Sequence, residues 1–289
     1  MGAVLHLVPF SGPLVAQLAK PASDAALYWL GQAGFAIRAG ERTLLIDPYL
    51  SDSLERKYRG SATPHGRMMP APITVDDLPP VDLVLVTHQH TDHMDPDTLA
   101  PLAARQPATR FVVPAAAAEE ARRRIGVDNS RLEAARPGVP LTPFPGLNVM
   151  PIRAAHEVLD PRFLGYGLSI EGLTIVHSGD TIPFEGQVAE LQALHADVAL
   201  FPVNGHSAEL AQKGIAGNFT LEEAVATAIA ASIPLLVAHH YGMFAFNTAA
   251  PDAIDAVSAG EKRIHMIRAR AGAAMRLRLR ADDGPEDTA

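Results

Sequence analysis

The 289-residue chain contains no cysteine. That absence excludes disulfides, iron–sulfur clusters, thiolate zinc sites and a cysteine nucleophile, and it leaves imidazole and carboxylate groups to carry any chemistry. A basic surplus is missing as well. With a formal net charge of -8, the chain has little electrostatic attraction for nucleic acid or an anionic membrane, and a small substrate is expected instead. No run is apolar for long enough to span a bilayer. Met1 to Lys20 have neither a basic start nor a small-residue cleavage site, and Pro9 and Pro13 break their apolar stretch. The expectation is therefore a soluble, cytoplasmic protein. Hydrophobic residues make up 48% of the sequence, enough to pack the core of one α/β domain of this size.

The informative stretch is His88-Gln89-His90-Thr91-Asp92-His93, which follows the apolar run Val81 to Val86. The run has no Gly or Pro and reads as a buried strand, so the histidines emerge at a strand end. Three imidazoles and a carboxylate in one turn can all bind a borderline metal such as zinc. Neighbouring side chains diverge, so Asp92 and His93 cannot easily reach the ion served by His88 and His90, which points to two metals.

Elsewhere the pattern alternates. Short β-rich runs at 27–30, 34–38 and 42–46 predict antiparallel hairpins, and the last ends in Asp47-Pro48. Residues 1–25 show no clear period and are expected to form an arm packed on a domain spanning 26–280, with a disordered acidic tail at 281–289. The connection from Tyr49 to Val75 carries Arg56, Lys57, Arg59 and Arg67, cations that could hold an anionic substrate group; Arg59 and Arg67 are the chosen candidates. Asp97 is placed as the cap of a helix through Leu99 and Leu102. Further strands lead to His156, to Ser178-Gly179-Asp180 and to His239-His240, and strand–helix alternation through this part predicts α/β layering.

The stretch from His88 to His93 resembles the metal-binding motif of the metallo-β-lactamase superfamily. Strand-end histidines and aspartates in the matching order extend the resemblance over residues 27–244. It implies a four-layer αββα sandwich with the metals at one edge of two sheets. It also implies His88, His90 and His156 on one ion, Asp92, His93 and His240 on the other, and Asp180 bridging them. His240 is preferred to His239 because it directly precedes the aromatic-Gly-x-Phe run Tyr241-Gly242-Met243-Phe244. Asp47 would hydrogen-bond a ligand histidine. Trp29 to Phe35, Leu45 to Pro48 and His240 to Gly242 look like the L-ascorbate-6-phosphate lactonase-like branch of the superfamily. Antibiotic-hydrolysing members use a cysteine where Asp180 stands, and flavin-linked diiron members use a glutamate where His90 stands, so neither activity is expected.

The resemblance implies a metal-dependent hydrolase with two divalent ions, zinc or manganese. A metal-bridging hydroxide would open a lactone or cleave an ester of an anionic, possibly phosphorylated, small molecule, with Asp92 or Asp180 moving a proton to the leaving oxygen. Alternatives are a phosphodiesterase acting on a cyclic nucleotide, a phospholipid or another phosphodiester, and a non-catalytic metal-binding protein. A homo-oligomer is left open.

Overall fold

The structure is a computed structural model describing residues 2–20, 24–156 and 158–279. In chain order the elements begin with β1 (Ala3–Pro9), α1 (Leu14–Leu18), β2 (Ala25–Gly31), β3 (Gly34–Ala39), β4 (Arg42–Ile46) and α2 (Ser53–Lys57). They continue with β5 (Leu83–Leu85), α3 (Pro96–Arg105), β6 (Arg110–Pro114), α4 (Ala118–Ile125), β7 (Leu132–Ala135), β8 (Leu141–Phe144), β9 (Leu147–His156), β10 (Val158–Ile170) and β11 (Leu173–His177). The chain closes with α5 (Gln187–Ala193), β12 (Val198–Pro202), α6 (Ala208–Gln212), α7 (Leu221–Ala230), β13 (Leu235–His239), α8 (Pro251–Gly260), β14 (His265–Arg268) and β15 (Ala273–Leu279).

The strands form an eight-stranded sheet in the order β1-β15-β2-β3-β4-β5-β6-β7 and a seven-stranded sheet in the order β14-β13-β12-β11-β10-β9-β8. Both are mixed, with antiparallel pairing at one side and parallel pairing from β4 to β7 and from β11 to β14. Successive strand side chains face opposite ways, and β5 shows what that does here. Leu83 and Leu85 join the core between the sheets, while Val84 packs on the other face against Leu99 and Leu102 of α3 and Ala121 of α4. The second sheet is covered on its outer side by α7, whose Thr220 and Glu223 close a reciprocal capping box. The result is an α/β fold of two mixed sheets flanked by helices.

Three local expectations change. The N-terminal arm is a sheet strand: β1 pairs with β15 from Ala3↔Leu279 to Pro9↔Ala273, a partner too distant in sequence for any local pattern to announce. The cap of α3 is Asp95, which accepts from Asp97 N at 3.2 Å, because Pro96 takes the first helical position and moves the cap back before it. The 81–86 run shortens to Leu83–Leu85, although Asp82 N and Val86 N still reach neighbouring strand carbonyls. The expected acidic tail at 281–289 lies outside the described residues.

Candidate metal centre

Both sheets deliver polar side chains to one edge, from the ends of parallel strands and, for His156, from the end of antiparallel β9. Asp47 follows β4, His88 to His93 follow β5, His156 ends β9, Asp180 lies just past β11, and His240 follows β13. Gly179 makes one of these placements possible. Its φ is +64°, and a Cβ there would lie 2.2 Å from the Leu164 carbonyl oxygen, so the turn carrying Asp180 closes tightly on β10. Gln32, Asp47 and His240 also have positive φ, at 51°, 44° and 62°. Left-handed backbone at non-glycine residues costs energy and persists where surrounding contacts over-determine it.

Three groups of ligand atoms converge, each within 4.8 Å: His88, His90 and His156; His88, His93 and Asp180; Asp92, His93 and His240. Asp180 Oδ2 lies 3.3 Å from His93 Nε2, 3.2 Å from His240 Nε2 and 4.0 Å from His156 Nε2, so it touches members of both outer groups. His93 Nε2, His156 Nδ1, Asp180 Oδ1 and both ring nitrogens of His240 are buried without hydrogen-bond partners. Buried polar atoms are rarely left unpaired in native proteins. Atoms of ligating type, converging and unpaired, fit a divalent cation, and an all-nitrogen-and-oxygen donor set suits zinc, manganese or iron.

Electrostatics agree with that fit. Burial, reinforced by His93 and His90, holds the His88 pKa well below its ordinary value, and burial lowers His156 to about 4, so both present neutral imidazoles, the form that ligates. His93 goes the other way. Burial opposes its charge, but Asp180, Asp47 and Asp92 together raise its pKa well above the usual value. Burial likewise penalises the Asp180 carboxylate, yet His240 and His93 bring its pKa well below the ordinary range. The carboxylates thus draw positive charge to the buried centre.

Supporting groups hold the ligands in place. Asp47 Oδ2 accepts from His93 Nδ1 at 2.7 Å and from Thr87 Oγ1 at 2.5 Å, and its Oδ1 accepts from Thr87 N at 2.7 Å. This fixes the tautomer of His93 and aims Nε2 at the centre. Sequence reasoning missed several other supports. Gln32 Nε2 donates to Asp92 Oδ2 at 2.8 Å, and the Gln32 carbonyl accepts from His240 N at 3.0 Å. Arg124 Nη1 donates to the carbonyls of Gln89 and Met94 at 2.7 and 3.2 Å, gripping the histidine turn from α4. Gly179 N donates to His177 Nδ1 at 3.0 Å, so His177 Nε2 carries the hydrogen and donates to Ala33 O at 2.9 Å. His239 is fully buried, its ring beside His177 and Phe35, apart from the ligand groups. The signal for Gln32 was its place in the Gly31-Gln32 turn, but nothing local says which strand end that turn faces.

The centre forms the floor of a cleft of about 320 Å³. Its rim includes Lys57, Arg124 and Lys213 together with Tyr58, Phe244 and Phe246. Neither arginine chosen from the sequence lines it. Arg59 is exposed on the surface. Arg67 is folded into its own loop, where Nε donates to Met69 O and Nη1 to Tyr49 O and Ser51 O, each at 3.1 Å, over the Tyr49 ring.

The arrangement of sheets and site is that of a metallohydrolase. A solved structure of Igni18, a metallo hydrolase from Ignicoccus hospitalis, superposes with a TM-score of 0.65 at 21% identity, covering 90% of this chain and 100% of that one. A family model described as the beta-lactamase superfamily domain matches residues 42–241. A UPF0173 metal-dependent hydrolase from Pyrococcus furiosus is 31% identical over 62% of this chain and 72% of its own length. Another, from Polynucleobacter asymbioticus, is 30% identical over 71% of this chain and 75% of its own. The chain belongs to the metallo-β-lactamase superfamily, and within it to the UPF0173 family of metal-dependent hydrolases.

Proposed function

We propose that the protein is a binuclear hydrolase that opens a lactone or cleaves an ester of an anionic small molecule. The observation that carries this reading is the convergence of seven ligand side chains, with Asp180 between the two outer groups, on the floor of an open cleft. His88, His90 and His156 would hold one ion, Asp92, His93 and His240 the other, and Asp180 both. Divalent ions bound there supply a Lewis acid and lower the pKa of coordinated water from about 15.7 to roughly 7.

The chain's own residues account for the remaining requirements. Asp47 and Gln32 hold His93 and Asp92 in fixed orientations, so little reorganisation accompanies reaction. Asp92 and Asp180 are the carboxylates in the cleft lining among the described residues, and either can carry a proton toward a leaving alkoxide. Lys57 and Lys213 place exposed positive charge at the rim, which favours an anionic substrate group. The motif likeness to the L-ascorbate-6-phosphate lactonase-like branch supports a lactone over other esters. Manganese would follow from that likeness, whereas zinc binds most nitrogen–oxygen sites more tightly.

The test is a hydrolysis screen of the protein loaded with zinc or manganese, setting phosphorylated and plain lactones against phosphodiesters. Lactone opening that is lost on chelation and restored by metal is the expected result. Phosphodiester cleavage without lactone opening would replace this reading with the phosphodiesterase one.

A further inference from the structure

One imidazole in the cleft stands apart from the ligand groups. His65 lies in the connection between α2 and β5, where its ring stacks on Tyr58 with centroids 4.1 Å apart and planes at 21°. It also meets Phe246 at 4.6 Å and Phe244 at 4.9 Å, and all four rings line the cleft beside the metal centre. His65 Nδ1 is 2.7 Å from the Thr63 carbonyl oxygen. A carbonyl only accepts, so Nδ1 carries the hydrogen and Nε2 of the neutral ring presents a lone pair. Burial lowers the His65 pKa from its ordinary value, which keeps the ring neutral near pH 7 although the Thr63 carbonyl and the Asp92 charge oppose that shift. No group among the described residues hydrogen-bonds Nε2. Stacking and the Thr63 bond together fix the ring, so this acceptor is oriented before any ligand arrives.

We propose that His65 is a specificity-determining residue: Nε2 accepts a hydrogen bond from a hydroxyl or N–H of the substrate while the aromatic wall packs on its apolar part. The inference rests on the hydrolase reading above and narrows its substrate to a small lactone or ester bearing a hydrogen-bond donor near the reacting carbonyl. A site built to hydrogen-bond a substrate group discriminates against the analogue that lacks it, because its own polar atom is then left unpaired.

The experiment compares an anionic pair, α-hydroxy-γ-(phosphooxymethyl)-γ-butyrolactone and its α-deoxy counterpart, on the metal-loaded protein, by kinetics and by ¹⁵N resonance of the His65 ring. Two variants accompany the wild type. His65→Asn keeps an amide donor for Thr63 but removes the acceptor, whereas His65→Gln can set an amide oxygen near the Nε2 position. Circular dichroism checks that both fold. The wild type is expected to favour the hydroxylated lactone by about threefold to tenfold, the effect of one net hydrogen bond. His65→Asn should abolish that preference through KM, His65→Gln should restore part of it, and the Nε2 resonance should move only with the hydroxylated ring. Equal handling of both lactones with an unmoved Nε2, or an unchanged preference in folded His65→Asn, overturns the assignment. If neither lactone is hydrolysed yet the hydroxylated one still moves Nε2, the lactonase reading fails and the role of His65 stands. If both are hydrolysed alike and Nε2 is silent, the reverse holds. A protein that binds neither ring overturns both.

Discussion

The floor of the cleft is built from side chains at strand ends, five of the seven ligand groups buried and several of them held by a second group, whereas the rim is built from residues of loops and helix ends, most of them partly or fully exposed, held mainly by one another. On the floor, His93 is fixed by Asp47, Asp92 by Gln32 and the histidine turn by Arg124. On the rim, Tyr58, His65, Phe244 and Phe246 lean on each other, and Lys213 pairs with exposed Glu209. The contrast separates two tasks. A metal centre needs ligands set by rigid elements, while recognition tolerates a surface that loop changes can remake. Substitutions on the floor should therefore act on metal and chemistry together, and substitutions on the rim on affinity or on loop stability alone.

The largest effect is expected from Asp180→Asn. The amide keeps the size but loses the charge, and its nitrogen cannot ligate a cation, so metal retention and turnover should fall together. Loss of at least one ion and of activity by on the order of a hundredfold or more is expected, read by elemental analysis and kcat on a variant shown to fold. Asp47→Asn should be milder, at roughly 10–100-fold, because it disturbs the orientation of His93 without removing a ligand. Equal losses in the two variants would erase the distinction between ligand and support.

Arg67→Ala probes the rim's framework. Its side chain is 6% exposed and serves three loop carbonyls, so its removal should lower stability to urea by about 1–3 kcal/mol while metal content stays normal. Normal stability with a raised KM would return Arg67 to the recognition surface. The smallest change belongs to Lys57→Ala and Lys213→Ala, whose exposed charges should each raise KM for an anionic substrate by only about twofold to fivefold, less at high salt. Arg59→Ala, outside the cleft, is the control and should leave KM unchanged.

The same contrast explains what could be read in the sequence. His88 to His93 and the later strand-end residues were legible because each sits directly after an apolar run, and a run's end is a local signal. The α/β layering was legible for the same reason. Asp47 could be named as a support only through the family resemblance, and the other supports were not legible: Gln32 and Asp92 are 60 residues apart, and only the closure of the sheet edge makes them partners. Arg67 carries charge in a loop, which from sequence reads equally well as recognition or as solvation. Only its three carbonyl partners identify it as a structural clasp. β1 was hidden because its partner is at the opposite end of the domain.

The most direct test of the two-ion centre is the metal content of the protein purified without chelator and then supplemented with zinc or manganese. Close to two ions per chain is the expected result, with one or both lost in Asp180→Asn. A folded wild-type protein that holds no metal after supplementation would contradict it.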